Sequence, residues 1–114
     1  MNSTSSFAAM QAEVYDCAVT HGWWEDPNPN IPEKLMLVVS EVSEALEELR
    51  SGHTPDEVYA GENGKPEGFG VELADAIIRI MDLSEHLGIN LDAVIRLKAD
   101  YNQTRSYRHG GKTC

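Results

Sequence analysis

Apolar residues recur at intervals of three and four along most of the chain, and turn-forming residues interrupt them at a few points. Between Lys34 and Arg50, at about 100° per residue, Val38, Val42, Ala45, Leu46 and Leu49 share one face. Glu41 and Glu44 fall just to one side of that face, with Leu37. The stretch Val71–Leu83 repeats the arrangement: Leu73, Ala76, Ile77, Ile80 and Leu83 form the apolar face, and Glu72 and Asp75 flank it on the same side. Upstream, Phe7, Met10, Ala12, Val14, Cys17, Ala18 and Val19 predict a helix from about Ser5 to His21, with Ser5 or Ser6 as its cap and Gly22 at its end. Downstream, Gly88 closes the second acidic helix, expected over Phe69–Leu87, and Asn90 caps a fourth from Leu91 to about Arg105. Four helices and no alternating stretch predict an all-α domain covering residues 1–114.

The breaks define the connections. Trp23 to Asn30 carries two prolines and two asparagines and reads as a loop. Pro32 and Glu33 suit the first turn of the following helix, and Gly52 suits its close. A long loop spans Gly52–Gly68. Within it, Thr54-Pro55-Asp56-Glu57 has the form of a capping box and predicts a short helical turn, while Gly61, Gly64, Pro66 and Gly68 make the remainder irregular. A loop of that length in a small helical domain is expected to act as a functional flap. Its His53 and Lys65 are expected to be solvated, with phosphate contact as the alternative.

Chemistry enters with the acids. Glu41 and Glu44, and Glu72 and Asp75, are two i,i+3 pairs, each pair neighbours on a helix surface. Carboxylates beside a core face are partly desolvated and repel one another, which is costly unless a cation compensates. Hard cations such as Mg²⁺ or Mn²⁺ are the natural partners of clustered carboxylate oxygens. One such pair alone is ordinarily a solvated face; two, in matching positions on two apolar helices, favour a shared metal site. On the fourth helix Lys98, Asn102 and Arg105 lie on one face, which reads either as an ordinary solvated face or as a set that suits a ligand with phosphate and base. Trp23 and Trp24 either pack as a lid or offer a stacking surface to a base. His21 beside them reads as a partner for a helix C-terminus.

Composition narrows the classes. The 114 residues hold 19 acidic and 9 basic side chains, a net charge of −10, which argues against a nucleic acid polymer or an anionic membrane as partner. No run is long enough to span a membrane, and the N-terminus lacks a basic region followed by an apolar one. Cys17 and Cys114 form neither a disulfide framework nor a zinc pattern, so a cytoplasmic setting is expected. The tail, residues 106–114, is basic and glycine-rich.

Taken in order, Glu41-x-x-Glu44, Glu72-x-x-Asp75 and then Lys98, Asn102 and Arg105 resemble the MazG-like nucleoside triphosphate pyrophosphohydrolases of the all-α NTP pyrophosphohydrolase superfamily. The wording around them matches as well: GWW at Gly22–Trp24, SEVSEALEELR at Ser40–Arg50, GKPEGFGVELADAIIRI at Gly64–Ile80 and RHGGK at Arg108–Lys112. The resemblance, from about His21 to Lys112, implies a four-helix bundle of that superfamily's type binding Mg²⁺, or Mn²⁺ in its place, through Glu41, Glu44, Glu72 and Asp75. It implies hydrolysis of an NTP or dNTP between the α- and β-phosphates, with Glu41 or Glu44 as the base. Lys98, Asn102, Arg105, Trp23 and Trp24 would be substrate contacts, and the chain a homodimer or homotetramer. Ser40 departs from the pattern, standing where many relatives carry a first acid. The other readings are a non-catalytic acidic module that binds metal or a partner and, among enzymes, phosphoribosyl-ATP pyrophosphohydrolase.

Overall fold

Side-chain caps set the starts of three of the four helices in a computed structural model, which describes residues 6–106. Ser6 accepts the Ala9 amide at 3.2 Å and opens α1 (Phe7–Thr20). Asn30 accepts the Glu33 amide at 3.0 Å and opens α2 (Ile31–Arg50), with Pro32 in its first turn. Asn90 accepts the Ala93 amide at 3.1 Å and opens α4 (Leu91–Gln103). α3 (Phe69–His86) starts instead at Gly68, whose φ of 142° is closed to other residues. Residues 1–5 and the basic tail from residue 107 lie outside the described residues.

α3 is the central helix. α2 packs most extensively on it, α1 packs beside it, and α4 touches only sparsely, on α1. Both neighbours run antiparallel to α3: Glu44 acts on Glu72, Glu41 meets Arg79 and Lys34 acts on Asp82, while Gln11 near the start of α1 bonds Glu85 and the Ile89 carbonyl and Trp24, past its end, bonds Asp82. No helix among the described residues is long and apolar enough to cross a membrane.

The long loop differs from its expected form. Thr54–Glu57 is a turn and not a helix, although Glu57 does reach back to the Thr54 amide at 3.2 Å. The remainder is ordered: β1 (Tyr59–Ala60) pairs antiparallel with β2 (Pro66–Glu67) around a 3₁₀ turn at Glu62–Gly64, with Asn63 at φ 59° and Gly64 at φ 76°.

The inward faces of α2 and α3 are also displaced from the expected ones. On α2 Ala45 is buried and Glu41 half-buried, whereas Val42 and Leu46 are each 51% exposed and Leu49 40%. On α3 Ala76 and Leu83 are buried as expected, but Leu73, Ile77 and Ile80 are exposed. Glu41, Glu72 and Asp75 point to the inside of the single chain, Glu44 is exposed, and most of the larger apolar residues, roughly a third of a turn away, point out. The core is correspondingly small: Val14, Ala45, Ala76, Met81 and Leu83. The Cα radius of gyration is 16.6 Å, where about 13 Å is usual for a chain of this length.

Candidate metal and ligand cleft

Antiparallel packing of α2 on α3 brings the two acidic pairs together. Carboxylate oxygens of Glu41, Glu72 and Asp75 lie within 4.8 Å of one another, and all three side chains are half-buried. Glu44, more exposed, lines the same cleft and its charge acts on Glu72. Burial, then a hydrogen bond with Glu41 and the charges of Glu41, Asp75 and Glu44, push Glu72 up to about 7. Burial and the Glu41 charge also raise Asp75, while Arg79 and Lys65 oppose that shift. Three crowded carboxylates with oxygen donors only could hold a hard divalent cation, which would offset the burial and mutual repulsion that raise Glu72. The donor set does not define which metal.

The cleft measures about 560 Å³, within the usual range for small-ligand sites. One wall is the acidic α2–α3 face. The other comes from α1 and its C-terminus: Val14, Cys17, Ala18, His21 and then Trp23. His21 donates Nδ1–H to the Cys17 carbonyl at 2.7 Å, the helix-end role expected of it. Arg79 donates Nε–H to Glu41 at 2.9 Å and lies 5.1 Å from the centre of the Trp23 ring, so it orients the acid cluster from within. Asp82 closes the floor. It is buried, accepts the Trp24 Nε1–H at 2.7 Å, and is raised by burial against the lowering pull of that bond and of Lys34.

A second polar cluster fastens the hairpin to α2. Tyr59 donates its hydroxyl to Glu48, 2.8 and 3.0 Å from the two carboxylate oxygens, which pushes the phenol up to about 12. His53 stacks on Tyr59 at 4.5 Å and sits between Glu57 at 3.1 Å and Glu48 at 3.8 Å. Glu48, one turn beyond Glu44, is thereby committed to the loop.

The residues marked in the sequence divide into three groups. Glu41, Glu44, Glu72, Asp75 and Trp23 share the cleft. Trp24 lies outside its lining, stacked on His86 at 3.8 Å with 8° between the rings. Lys98 and Asn102 are exposed on α4 and Arg105 lies just past its end, the helix stopping at Gln103 and not at the expected Arg105; all three are away from the cleft, with Lys98 and Arg105 lying against Tyr101. Ser40 is exposed and bonds the Leu37 carbonyl at 2.7 Å, so it adds nothing to the cluster. Asp82 was legible but missed: it lies seven residues after Asp75, hence on the same face two turns on. No family profile, characterised protein or solved structure matches the chain.

Proposed function

We propose that the chain is a metal-dependent nucleoside triphosphate pyrophosphohydrolase. The convergence of Glu41, Glu72 and Asp75 to within 4.8 Å, on the wall of a cleft that also holds Glu44 and Trp23, carries the reading. The resemblance of the ordered motifs to the MazG-like enzymes supports it. Glu41, Glu72 and Asp75 would hold Mg²⁺, or Mn²⁺, and Glu44 would complete the set or face the water. A divalent cation bound there supplies charge neutralisation to the triphosphate oxygens.

The chain's own groups do the rest. Glu44, outside the close trio and open to solvent, accepts the proton of the attacking water. The water oxygen bonds to the α-phosphorus, the P–O bond to the bridging oxygen breaks, and pyrophosphate leaves a nucleoside monophosphate behind. Arg79 keeps Glu41 in place and offsets part of the cluster's negative charge. Trp23 borders the base side of the cleft.

The active form is a homo-oligomer of the superfamily's four-helix type. The exposed stripes on α2 and α3 supply the surface for it, and association of copies would bring Lys98, Asn102 and Arg105 of one chain to the cleft of another.

Pyrophosphate release from a panel of NTPs and dNTPs, with Mg²⁺, Mn²⁺ or EDTA, tests the reading; phosphoribosyl-ATP belongs in the panel. Metal-dependent release of pyrophosphate and monophosphate is expected. Glu44→Gln should lower turnover by about 10²–10⁴-fold while the protein stays folded. A folded protein that binds Mg²⁺ yet releases nothing from any substrate is a binding module instead.

A further inference from the structure

The geometry points to Lys65 as a phosphate-binding residue of the cleft, presented by the β1–β2 hairpin. The inference rests on the nucleotide reading above and adds a contact to it.

The backbone at Lys65 is fixed. Its amide donates to the Glu62 carbonyl at 3.1 Å, and its carbonyl accepts the Gly61 amide at 2.7 Å. The hairpin is itself held at both ends. Tyr59 ties β1 to Glu48 of α2. Gly68 follows β2 and is buried; a Cβ there would collide with the Glu57 carbonyl oxygen, so the exit strand lies directly on the entry strand's approach.

The side chain, by contrast, is uncommitted. Lys65 lines the cleft with the four acids, and its charge reaches Asp75. Among the described residues its ammonium makes no hydrogen bond and no ion pair. The other cations near the cleft are engaged. Arg79 is bonded to Glu41, and Lys34 sits over the Trp23 and Trp24 rings at 4.1 and 4.7 Å. A rigid backbone carrying a free ammonium beside a metal-type carboxylate cluster suits the non-bridging oxygens of a polyphosphate, which lysine binds as a point charge.

The experiment compares the full-length protein with Lys65→Met, which keeps length and loses charge, and with Lys65→Arg. Three quantities are read: KM and kcat for the best triphosphate of the panel, the inhibition constant of inorganic pyrophosphate, and Mg²⁺ affinity by calorimetry without nucleotide. Lys65→Met should raise KM and the pyrophosphate constant together, by about ten- to hundredfold, with Lys65→Arg close to wild type. Removing a cation from beside carboxylates leaves Mg²⁺ binding as tight as before or tighter. Weaker phosphate binding with metal binding kept is a result that a collapsed hairpin would not give. An active wild type whose KM and pyrophosphate constant are unmoved by Lys65→Met, or a variant that loses Mg²⁺ binding as well, overturns the role of Lys65 while leaving the enzyme reading intact. A wild type that neither turns over nor binds any nucleotide removes that reading, and Lys65's role with it.

Discussion

Glu72 carries much of the electrostatic cost of the cleft. Its carboxyl ordinarily ionises near 4.5 and is pushed up to about 7 in the folded chain, burial being the largest cause. Below about pH 4.5 it is protonated in folded and unfolded chains alike, and its raised pKa has no effect on stability. As pH rises from there to 7 the unfolded chain loses the proton first, so the folded state binds more protons and loses stability. Asp75 and Asp82 shift in the same direction, each led by burial. Metal-free protein in EDTA should therefore melt at progressively lower temperature between pH 5 and pH 7.5. Millimolar Mg²⁺ should flatten or reverse that slope, because it binds the deprotonated cluster. Glu72→Gln should remove most of the slope in EDTA. A melting temperature independent of pH and of Mg²⁺ would mean that the carboxylates do not share a field.

At the scale of elements, the hairpin is what the sequence concealed. Its strands are two residues each, too short for any alternation, and Gly61, Gly64, Pro66 and Gly68 all read as breakers. Order comes instead from contacts remote in sequence, above all Tyr59 with Glu48, which no local pattern announces. The helices were legible because caps and apolar periodicity agree with each other: Ser6, Asn90 and the flanking glycines stand where the helices begin and end. Gly68 joins hairpin to helix, with φ 142° and no room for a Cβ. Gly68→Ala should destabilise the fold by about 2–4 kcal/mol in thermal or denaturant unfolding. Since Gly68 precedes the first turn of α3, which holds Glu72, and follows β2, the variant should also weaken Mg²⁺ binding. An alanine variant as stable as wild type would show that the hairpin has slack.

For the whole molecule, the periodicity marked apolar stripes that the single chain buries only in part: Ala45, Ala76 and Leu83 are inside, and most of the larger residues are not. Leu35, Val39, Val42, Leu46 and Leu49 are spaced 4-3-4-3 along α2 and lie between 40% and 55% exposed. Sequence periodicity marks which residues must be covered and is silent on whether the cover comes from the same chain or another copy. Glu41, Glu72 and Asp75, expected at the flank of the core face, lie instead inside the chain's own cleft. Leu46 belongs to the α2 stripe and is 51% exposed, so Leu46→Glu separates the two possibilities. On a surface that stays in water the change should alter stability by no more than about 0.5 kcal/mol. In a seam between copies it would bury a charge at each copy of the contact and raise the dissociation constant at least ~100-fold, leaving a monomer by sedimentation. The cluster of Glu41, Glu72 and Asp75 is complete in one chain. Lys98, Asn102 and Arg105 are not at the cleft in one chain. The Leu46→Glu monomer should therefore keep its Mg²⁺ affinity and lose its nucleotide turnover. A monomeric variant with full turnover would instead confine catalysis to the α1–α3 cleft and leave α4 without a part in it.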